Sequence, residues 1–272
     1  MITSASNDKL KYVRRLQAER RFRQREGVFV VEGTRWVKEL VAAAVAPTMF
    51  FATADWLANP AHQRLIGQWG HRPLEVETAL LHQMAETDTP AGVLAVVPQP
   101  NLAWPAQPSL LLLLDAIRDP GNLGTLLRSA AASGVDGVIL GVGCVDAFNP
   151  KVVRSSMGAV LRLPIRTAVW EEIPELVAGT AVYLAAGEGQ VAYTAVDWRT
   201  PATLIIGGEA DGAGSEARQL ANQLIHIPMH NAMESLNAAV AGSVILFEAV
   251  RQRSEGAGER RSGEKKGLRD CD

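Results

Sequence analysis

The sequence has few cysteines and no long apolar run. Cys144 and Cys271 are the two cysteines among 272 residues, too few for a disulfide framework or a cysteine-rich zinc site, which favours a reducing cytoplasm. No apolar run reaches the roughly 18 residues that a membrane helix needs. The opening residues, MITSASNDKLKYVRR, lack an apolar core, so we expect no secretory signal. The five histidines include no pair at metal-helix spacing near a carboxylate, and we therefore expect no metal site.

The chain carries a net charge of −2, which taken alone disfavours a nucleic-acid partner. Its charged side chains are, however, unevenly distributed along the sequence. Residues 1–26 hold eight basic and three acidic side chains, whereas residues 27–250 hold 12 basic and 21 acidic ones. A charge run is usually a solvated face, and we keep that interpretation for the C-terminal tail. For the first helix we predict contact with nucleic-acid phosphates, because binding follows local rather than net charge. The predicted nucleic-acid-binding residues are Lys9, Lys11, Arg14, Arg15, Arg20, Arg21 and Arg23.

A proline-rich stretch, PQPNLAWPAQP, divides the chain, because four close prolines prevent a helix and favour an extended connector. We place a small α/β domain at residues 1–97, the connector at 98–108 and a second α/β domain at 109–251. Residues 252–272 are rich in Gly, Arg and Glu and are predicted to be disordered. The first domain is expected to open with one basic helix at 7–26, which Gly27 ends.

Apolar runs alternate with helical segments in the second domain. We predict strands at 110–114, 135–140, 181–185, 203–206 and 224–227, and helices at 122–133, 151–159 and 236–251. This alternation predicts a parallel sheet covered on both faces. Ligands bind such sheets at the carboxyl ends of the strands, which directs attention to the loops after residues 114, 206 and 227.

The first of these loops, DAIRDPGNLGTLLR, leads into a helix with Asn122 near its start. Asn122 could simply cap that helix. Arg128 is flanked by leucine and alanine, where a guanidinium is costly unless it meets an anion. A helix N-terminus with an arginine on its second turn suits a phosphate.

The second and third loops carry glycines and a polar cluster. In LIIGGEADGAG, two glycines and Glu209 follow a buried strand, although the glycines alone could form an ordinary connector. The spacing fits neither a Walker loop nor a dinucleotide fingerprint. In IHIPMHNAMESLN, Ser235 and Asn237 stand at a helix entrance, where Ser235 could be an N-cap.

Taken together, the three loops resemble the signature motifs of the SpoU (TrmH-like) family of RNA ribose 2′-O-methyltransferases. Asn122, Gly124 and Arg128 resemble the first motif, N-x-G-x-x-x-R; residues 204–212 resemble the second, an apolar strand followed by G-x-E-x-x-G; and residues 227–237 resemble the third. The segment from Phe148 to Ala159 also resembles the family. Residues 1–97 resemble its RNA-binding domain, so the likeness extends over nearly the whole chain.

This resemblance implies a trefoil-knotted catalytic domain, a homodimer and S-adenosylmethionine as cofactor. It implies cofactor contacts at Gly207, Ile227 and Leu236, and a surrounding site formed by Glu209, Ser235 and Asn237. The family's proposed base is the first-motif arginine, here Arg128, with Asn122 orienting it or the ribose. Because arginine is effectively always protonated, a phosphate anchor that stabilises alkoxide charge is the alternative role.

The expected function is methylation of a ribose 2′-hydroxyl, and the two-domain layout resembles enzymes of large-subunit rRNA more than tRNA enzymes. The alternatives are a tRNA enzyme of the same chemistry and a catalytically silent RNA-binding protein on the same scaffold. The intact motif residues argue against the silent protein. A methyltransferase for proteins or small molecules is a further alternative, against which the basic first helix argues.

Overall fold

The computed structural model describes residues 1–208, 212–231, 233 and 235–267, with side chains described as far as residue 255. Its helices and strands alternate along most of the chain. In chain order they are α1 (Asp8–Ala18), α2 (Arg20–Glu26), β1 (Val28–Glu32), α3 (Thr34–Ala42), β2 (Met49–Ala52), α4 (Ala54–Ala58), α5 (Pro60–Trp69), β3 (Leu74–Glu75), α6 (Thr78–Met84), β4 (Val93–Pro98), β5 (Leu110–Asp115), α7 (Pro120–Ala132), β6 (Gly137–Leu140), α8 (Pro150–Ser156), β7 (Ile165–Thr167), α9 (Ile173–Leu176), β8 (Ala181–Ala185), β9 (Val191–Ala192), β10 (Ala202–Gly207), α10 (Ser215–Leu220), β11 (Gln223–His226) and α11 (Ala238–Gly267).

The chain forms two compact units. The first contains Met1–Asn101 together with Asp146–Leu161, and the second contains Leu102–Val145 together with Arg162–Asp272. We had expected Asp146–Leu161 in the second domain. It packs with the N-terminal residues instead, because α8 lies against β1 and Asp146 forms a buried ion pair with Arg23.

The first unit has a mixed four-stranded sheet in the order β1-β4-β2-β3. β4 runs antiparallel to β1 and β2, and β2 pairs in parallel with β3. Helices α1 and α6 pack on this sheet through a core that includes Leu10, Leu16, Leu81 and Phe51, each completely buried.

The predicted single helix at 7–26 is wrong, because the chain breaks at Glu19 into α1 and α2. α1 buries Leu16, whereas α2 buries both Phe22 and Arg23. In a continuous helix, Phe22 would point about 120° away from Leu16. The extended residue Glu19 turns the chain so that Phe22 also faces the core. Gly27 ends α2 in a left-handed conformation, as predicted.

The second unit contains a seven-stranded, entirely parallel sheet, which confirms the predicted α/β class. The strand order is β7-β6-β5-β10-β8-β11-β9, so β10 lies between β5 and β8. Leu111, Leu113 and Ile205 face a core shared with α9 and α10. On the other face α11 packs against α7 and β10.

Several elements of the second unit had not been predicted, namely β7, β9, α9 and α10, all of them short. The last helix also differs, since α11 begins at Ala238 and continues to Gly267. The structure gives residues 252–267 a helical backbone, and the predicted disorder of residues 252–272 stays a prediction. The arginine, lysine and glutamate of this segment favour a helix, whereas its four glycines oppose one.

Among the described residues, no helix combines the length and apolarity that a membrane span requires.

Candidate active site

A cavity of about 540 Å³ opens where β8, β10 and β11 end. It has the size and the mixed polar and apolar lining typical of a site for a small organic ligand. Its walls are residues 185–188, residues 206–208 with 212–213, residues 235–238 with Ala241, and Ile225, Ile227, Met229 and Arg218. The cavity therefore lies at the strand ends where a parallel sheet is expected to bind a ligand.

Glycine at position 207 lets the backbone of residues 207–208 contact that of residues 212–213, and together these residues form one wall of the cavity. A Cβ atom at Gly207 would lie 2.4 Å from the backbone nitrogen of Ala213, a separation that real Cβ atoms do not show. Gly208 and Gly212 are joined as an isolated antiparallel bridge. Residue 207 must therefore be glycine for the wall to close in this way.

The helices α7 and α11 pack closely beside the cavity. A Cβ atom at Gly242 of α11 would lie 2.5 Å from a methyl group of Leu126 in α7. The hydroxyls of Ser129 and Ser243 are 2.7 Å apart across the same contact. This close packing brings the first turn of α7 next to the start of α11.

Asn237 links these two helix starts. Its side-chain oxygen accepts hydrogen bonds from the N–H groups of Ala239 and Val240, at 2.9 and 3.2 Å, so Asn237 caps α11. Its Nδ2 donates to Oδ1 of Asn122, 3.0 Å away. The side chain of Asn122 is thus oriented at the edge of the cavity.

The N-cap residues considered for α7 and α11 from the sequence are both wrong. Asp119, and not Asn122, caps α7, because its carboxylate accepts the N–H of Asn122 at 2.7 Å. Asn237, and not Ser235, caps α11, which starts three residues after Ser235. The side chains of Asn122 and Ser235 are therefore not engaged in capping these helices.

Glu188 and Arg218 add charge to the cavity wall. Nη1 of Arg218 lies 2.5 Å from Oε1 of Glu188, which joins α10 to the segment after β8. A hydrogen bond from its own backbone amide, and then the bond from Arg218, hold the pKa of the Glu188 carboxyl below its ordinary value. We had not predicted these two residues. The prediction of ligands at strand ends could have found Glu188, whereas Arg218 gave no signal in the sequence.

Comparison with known proteins assigns the chain to a family. The model of the SpoU rRNA Methylase family matches residues 109–247. The chain belongs to the SpoU rRNA methylase family. The MRM3-like substrate binding domain matches residues 7–95, so the two matches follow the two-domain layout.

SpoU relatives align along most of this chain. The 23S rRNA (guanosine(2553)-2′-O)-methyltransferase RlmP of Bacillus subtilis is 31% identical, over 90% of this chain and 97% of its own length. An uncharacterized tRNA/rRNA methyltransferase of Synechocystis is 34% identical, over 93% of this chain and 94% of its own length. The crystal structure of the SpoU methyltransferase AviRb from Streptomyces viridochromogenes with AdoMet covers 91% of this chain and 98% of its own, at 30% identity and a TM-score of 0.82.

Seven of the eight predicted SpoU site residues fall into three groups in the structure. Gly207, Ile227, Ser235, Leu236 and Asn237 all line the cavity. Asn122 is joined to them through Asn237. Glu209 lies outside the described residues.

Arg128 does not line the cavity but lies on the exposed face of α7, two turns beyond Asn122. The expectation of an arginine among apolar neighbours is therefore wrong. Leu126, Leu127 and Ala130 point inward, and the helical period turns Arg128 outward. Its guanidinium is open to an anion that approaches from solvent.

The prediction that Arg23 contacts RNA is also wrong, because this residue is only 3% exposed. Its Nε and Nη2 donate to Oδ2 of Asp146 at 2.9 and 2.7 Å. Its Nη1 donates to the carbonyls of Leu16 and Gln17 at 2.6 and 2.8 Å. Arg23 therefore holds α2 in place and is inaccessible to RNA.

The other predicted RNA-binding residues keep access to solvent. Lys9, Lys11, Arg15, Arg20 and Arg21 are exposed and Arg14 is half-buried. Some of this charge is already compensated, since Arg15 pairs with Glu19 at 2.9 Å and Lys11 pairs with Asp8 at 3.3 Å. We name the set Lys9, Lys11, Arg14, Arg15, Arg20 and Arg21 the basic surface.

Proposed function

We propose that this chain transfers a methyl group from S-adenosylmethionine to a ribose 2′-hydroxyl of large-subunit rRNA in the cytoplasm. The observation that carries the proposal is the cavity at the ends of β8, β10 and β11, into which five predicted site residues converge. Membership of the SpoU rRNA methylase family and the named activity of the RlmP relative support the same reaction.

The cavity residues fit S-adenosylmethionine. The cofactor combines an apolar thioether region with a polar nucleoside and a zwitterionic amino acid. The wall offers backbone groups at Gly207, Ile227 and Leu236, apolar side chains at Ile206 and Ile225, and the charged pair Glu188–Arg218. The closed backbone at Gly207 forms a cradle that any Cβ would fill. When bound, S-adenosylmethionine supplies a methyl group that its sulfonium already activates.

The chain itself must orient the ribose and stabilise the oxygen as its proton leaves. Asn122 is fixed by Asn237 at the cavity edge and is suited to orient the ribose. Arg128 is exposed and keeps a fixed positive charge, so we assign it to an RNA phosphate and to the developing alkoxide. Ser235 and Asn237 shape the site by hydrogen bonding, and we extend the same role to Glu209.

RNA binding is assigned to the basic surface of the first unit. The substrate-binding domain match at residues 7–95 supports this assignment, since it contains the whole surface. Exposed lysine and arginine bind phosphates without sequence specificity, so the basic surface supplies affinity.

We propose a homodimer in which α11 supplies the contact. Three apolar side chains form one exposed stripe along this helix, namely Val240, Val244 and Phe247, each between 37% and 49% exposed. Such a stripe at helical spacing is typical of a covered face. Phe247→Glu should yield a monomer in light scattering, whereas Val169→Glu, a control at another exposed apolar residue of this unit, should leave the dimer intact. A monomeric wild type would refute the dimer.

We also propose the trefoil knot that the resemblance implies. Its support is the non-consecutive strand order, in which β10 inserts between β5 and β8.

The enzymatic test separates binding from transfer. The wild-type protein should bind S-adenosylmethionine in calorimetry and transfer labelled methyl to rRNA from a strain that lacks the protein. Binding without transfer to any RNA would contradict the enzyme proposal, and an absence of cofactor binding would support the silent RNA-binding alternative. Transfer to tRNA but not to rRNA would refute the proposed substrate.

A further inference from the structure

A buried carboxylate, Asp115, lies at the end of β5 and has no assigned part in the reaction. Asp115 is only 5% exposed, and its Oδ2 accepts a hydrogen bond from the backbone N–H of Gly214 at 2.7 Å. Gly214 directly follows the cavity wall formed by residues 207–208 and 212–213, and it is the residue before α10. Asp115 therefore holds one end of a segment that lines the proposed cofactor site.

The same peptide group is also held at its carbonyl end. The carbonyl oxygen of Ala213 accepts a hydrogen bond from Nε of Arg218 at 3.3 Å. Arg218 in turn pairs with Glu188, on a different wall of the cavity. Both polar groups of the Ala213–Gly214 peptide are thus fixed, the N–H by a buried carboxylate and the C=O by a guanidinium.

The backbone beside this peptide is closely packed at two glycines, Gly207 and Gly208. A Cβ atom at Gly208 would lie 2.6 Å from the carbonyl oxygen of Ala116, the residue after Asp115. A Cβ atom at Gly207 would lie 2.4 Å from the nitrogen of Ala213. The position of the Ala213–Gly214 peptide is therefore coupled to that of Gly207 through the contact with Ala213.

We propose that Asp115 is a positioning residue for the cofactor, which fixes the Ala213–Gly214 peptide and thereby preforms the glycine wall of the cavity. A wall held before the ligand arrives lowers the entropic cost of binding. The role rests on the proposed cofactor site. It assigns Asp115 no contact with the cofactor or the ribose.

Calorimetry with S-adenosylmethionine, combined with urea unfolding, tests this role. Asp115→Ala removes the acceptor and should weaken binding at least about tenfold, because the N–H of Gly214 then loses the charged acceptor that fixes the peptide. Asp115→Asn keeps an acceptor oxygen and should restore the affinity to within about threefold, as a neutral acceptor forms a weaker bond.

Asp136→Ala is the matched control. The Asp136 carboxylate accepts two backbone N–H groups, of Ser109 and Leu110 at 2.6 and 2.9 Å, at the opposite end of β5. Its loss should lower the free energy of unfolding and leave the cofactor Kd within about twofold, since it does not touch the cavity.

The role is overturned if Asp115→Ala unfolds cooperatively and binds as tightly as the wild type, or if Asp136→Ala weakens binding equally. Should Asp115→Ala not fold, amide hydrogen exchange of the cofactor-free wild type decides, because it reports on the bond from Gly214 to Asp115 without any change at the cavity. Strong protection of the Gly214 amide, comparable to that of the β10 amides, would support the role, and fast exchange of that amide would overturn it. A wild type that does not bind the cofactor would instead refute the proposed site itself, and with it this role.

Discussion

Single residues at the cavity form contacts that the local sequence does not predict. Asn237 both caps α11 and orients Asn122, through the two ends of one amide group. Arg128 is separated from this pair by two helical turns and faces solvent. The asparagines are therefore suited to fix geometry, whereas the arginine is suited to meet an incoming anion.

Arg128→Ala should leave the cofactor Kd within about twofold, because Arg128 does not line the cavity. It should reduce the rate of single-turnover methylation by about 100-fold or more, as expected when an electrostatic stabiliser is lost. Arg128→Lys should recover little of that loss, since lysine cannot form a bidentate contact with a phosphate. Calorimetry and rapid-quench methylation measure the two effects separately. Near-normal methylation by Arg128→Ala would exclude both roles considered for this arginine.

Gly207→Ala should abolish measurable cofactor binding, because its methyl group would collide with the backbone of Ala213 and open the cavity wall. The matched control is Gly67→Ala in α5, where a Cβ atom meets nothing within 4 Å. That control should raise the free energy of unfolding by about 0.5–1 kcal/mol, as alanine is the better helix former. Unchanged cofactor affinity in Gly207→Ala would mean that the closed wall is irrelevant to binding.

At the scale of elements, a buried ion pair fixes α2. Arg23 and Asp146 are 3% and 8% exposed, and Asp146 also accepts the N–H of Phe148 at 3.1 Å. The pair joins two segments of the first unit that are 123 residues apart in sequence. Neither the helical period nor the local charge could have predicted this partner.

Arg23→Met should lower the free energy of unfolding by about 3–5 kcal/mol, because it leaves a buried carboxylate unpaired. The double variant Arg23→Met, Asp146→Leu should recover a substantial part of that loss, since the unpaired charge is then gone as well. Urea unfolding measures both. A loss below about 1 kcal/mol in the single variant would show that the pair is not effectively buried.

Prediction from the sequence succeeded where the pattern is local and failed where partners are distant. Five leucines in a row predicted β5, and the glycines after residue 206 predicted one wall of the cavity. The insertion of β10 between β5 and β8 depends on contacts about 90 residues apart along the chain, which no period encodes. The same reason applies to Asp115, whose partner Gly214 lies 99 residues away.

At the scale of the whole molecule, positive charge is concentrated in the first 26 residues while the remaining chain up to residue 250 is acidic. The small net charge therefore conceals a surface suited to phosphates. Arg23 contributes to the count but not to the surface, because it is buried. The basic surface is smaller than the sequence alone indicated.

Arg20→Glu combined with Arg21→Glu should weaken rRNA binding by about tenfold or more and flatten its dependence on salt, because phosphate contacts are lost. The control, Arg199→Glu combined with Arg251→Glu, makes the same change in net charge at side chains of the second unit that already pair with carboxylates. Filter binding across a salt series compares the two. Equal weakening in both would show that net charge, and not the basic surface, governs binding.

The central claim is tested most directly by the chemical identity of the methylated product. Purified protein, S-adenosylmethionine with a labelled methyl group and rRNA from a strain that lacks the protein are incubated together, and the RNA is then hydrolysed with alkali. We expect the label in a dinucleotide that resists alkali, because a methylated 2′-oxygen cannot attack the adjacent phosphate. Label on a base in an alkali-sensitive nucleotide, or no label at all, would contradict ribose 2′-O-methylation.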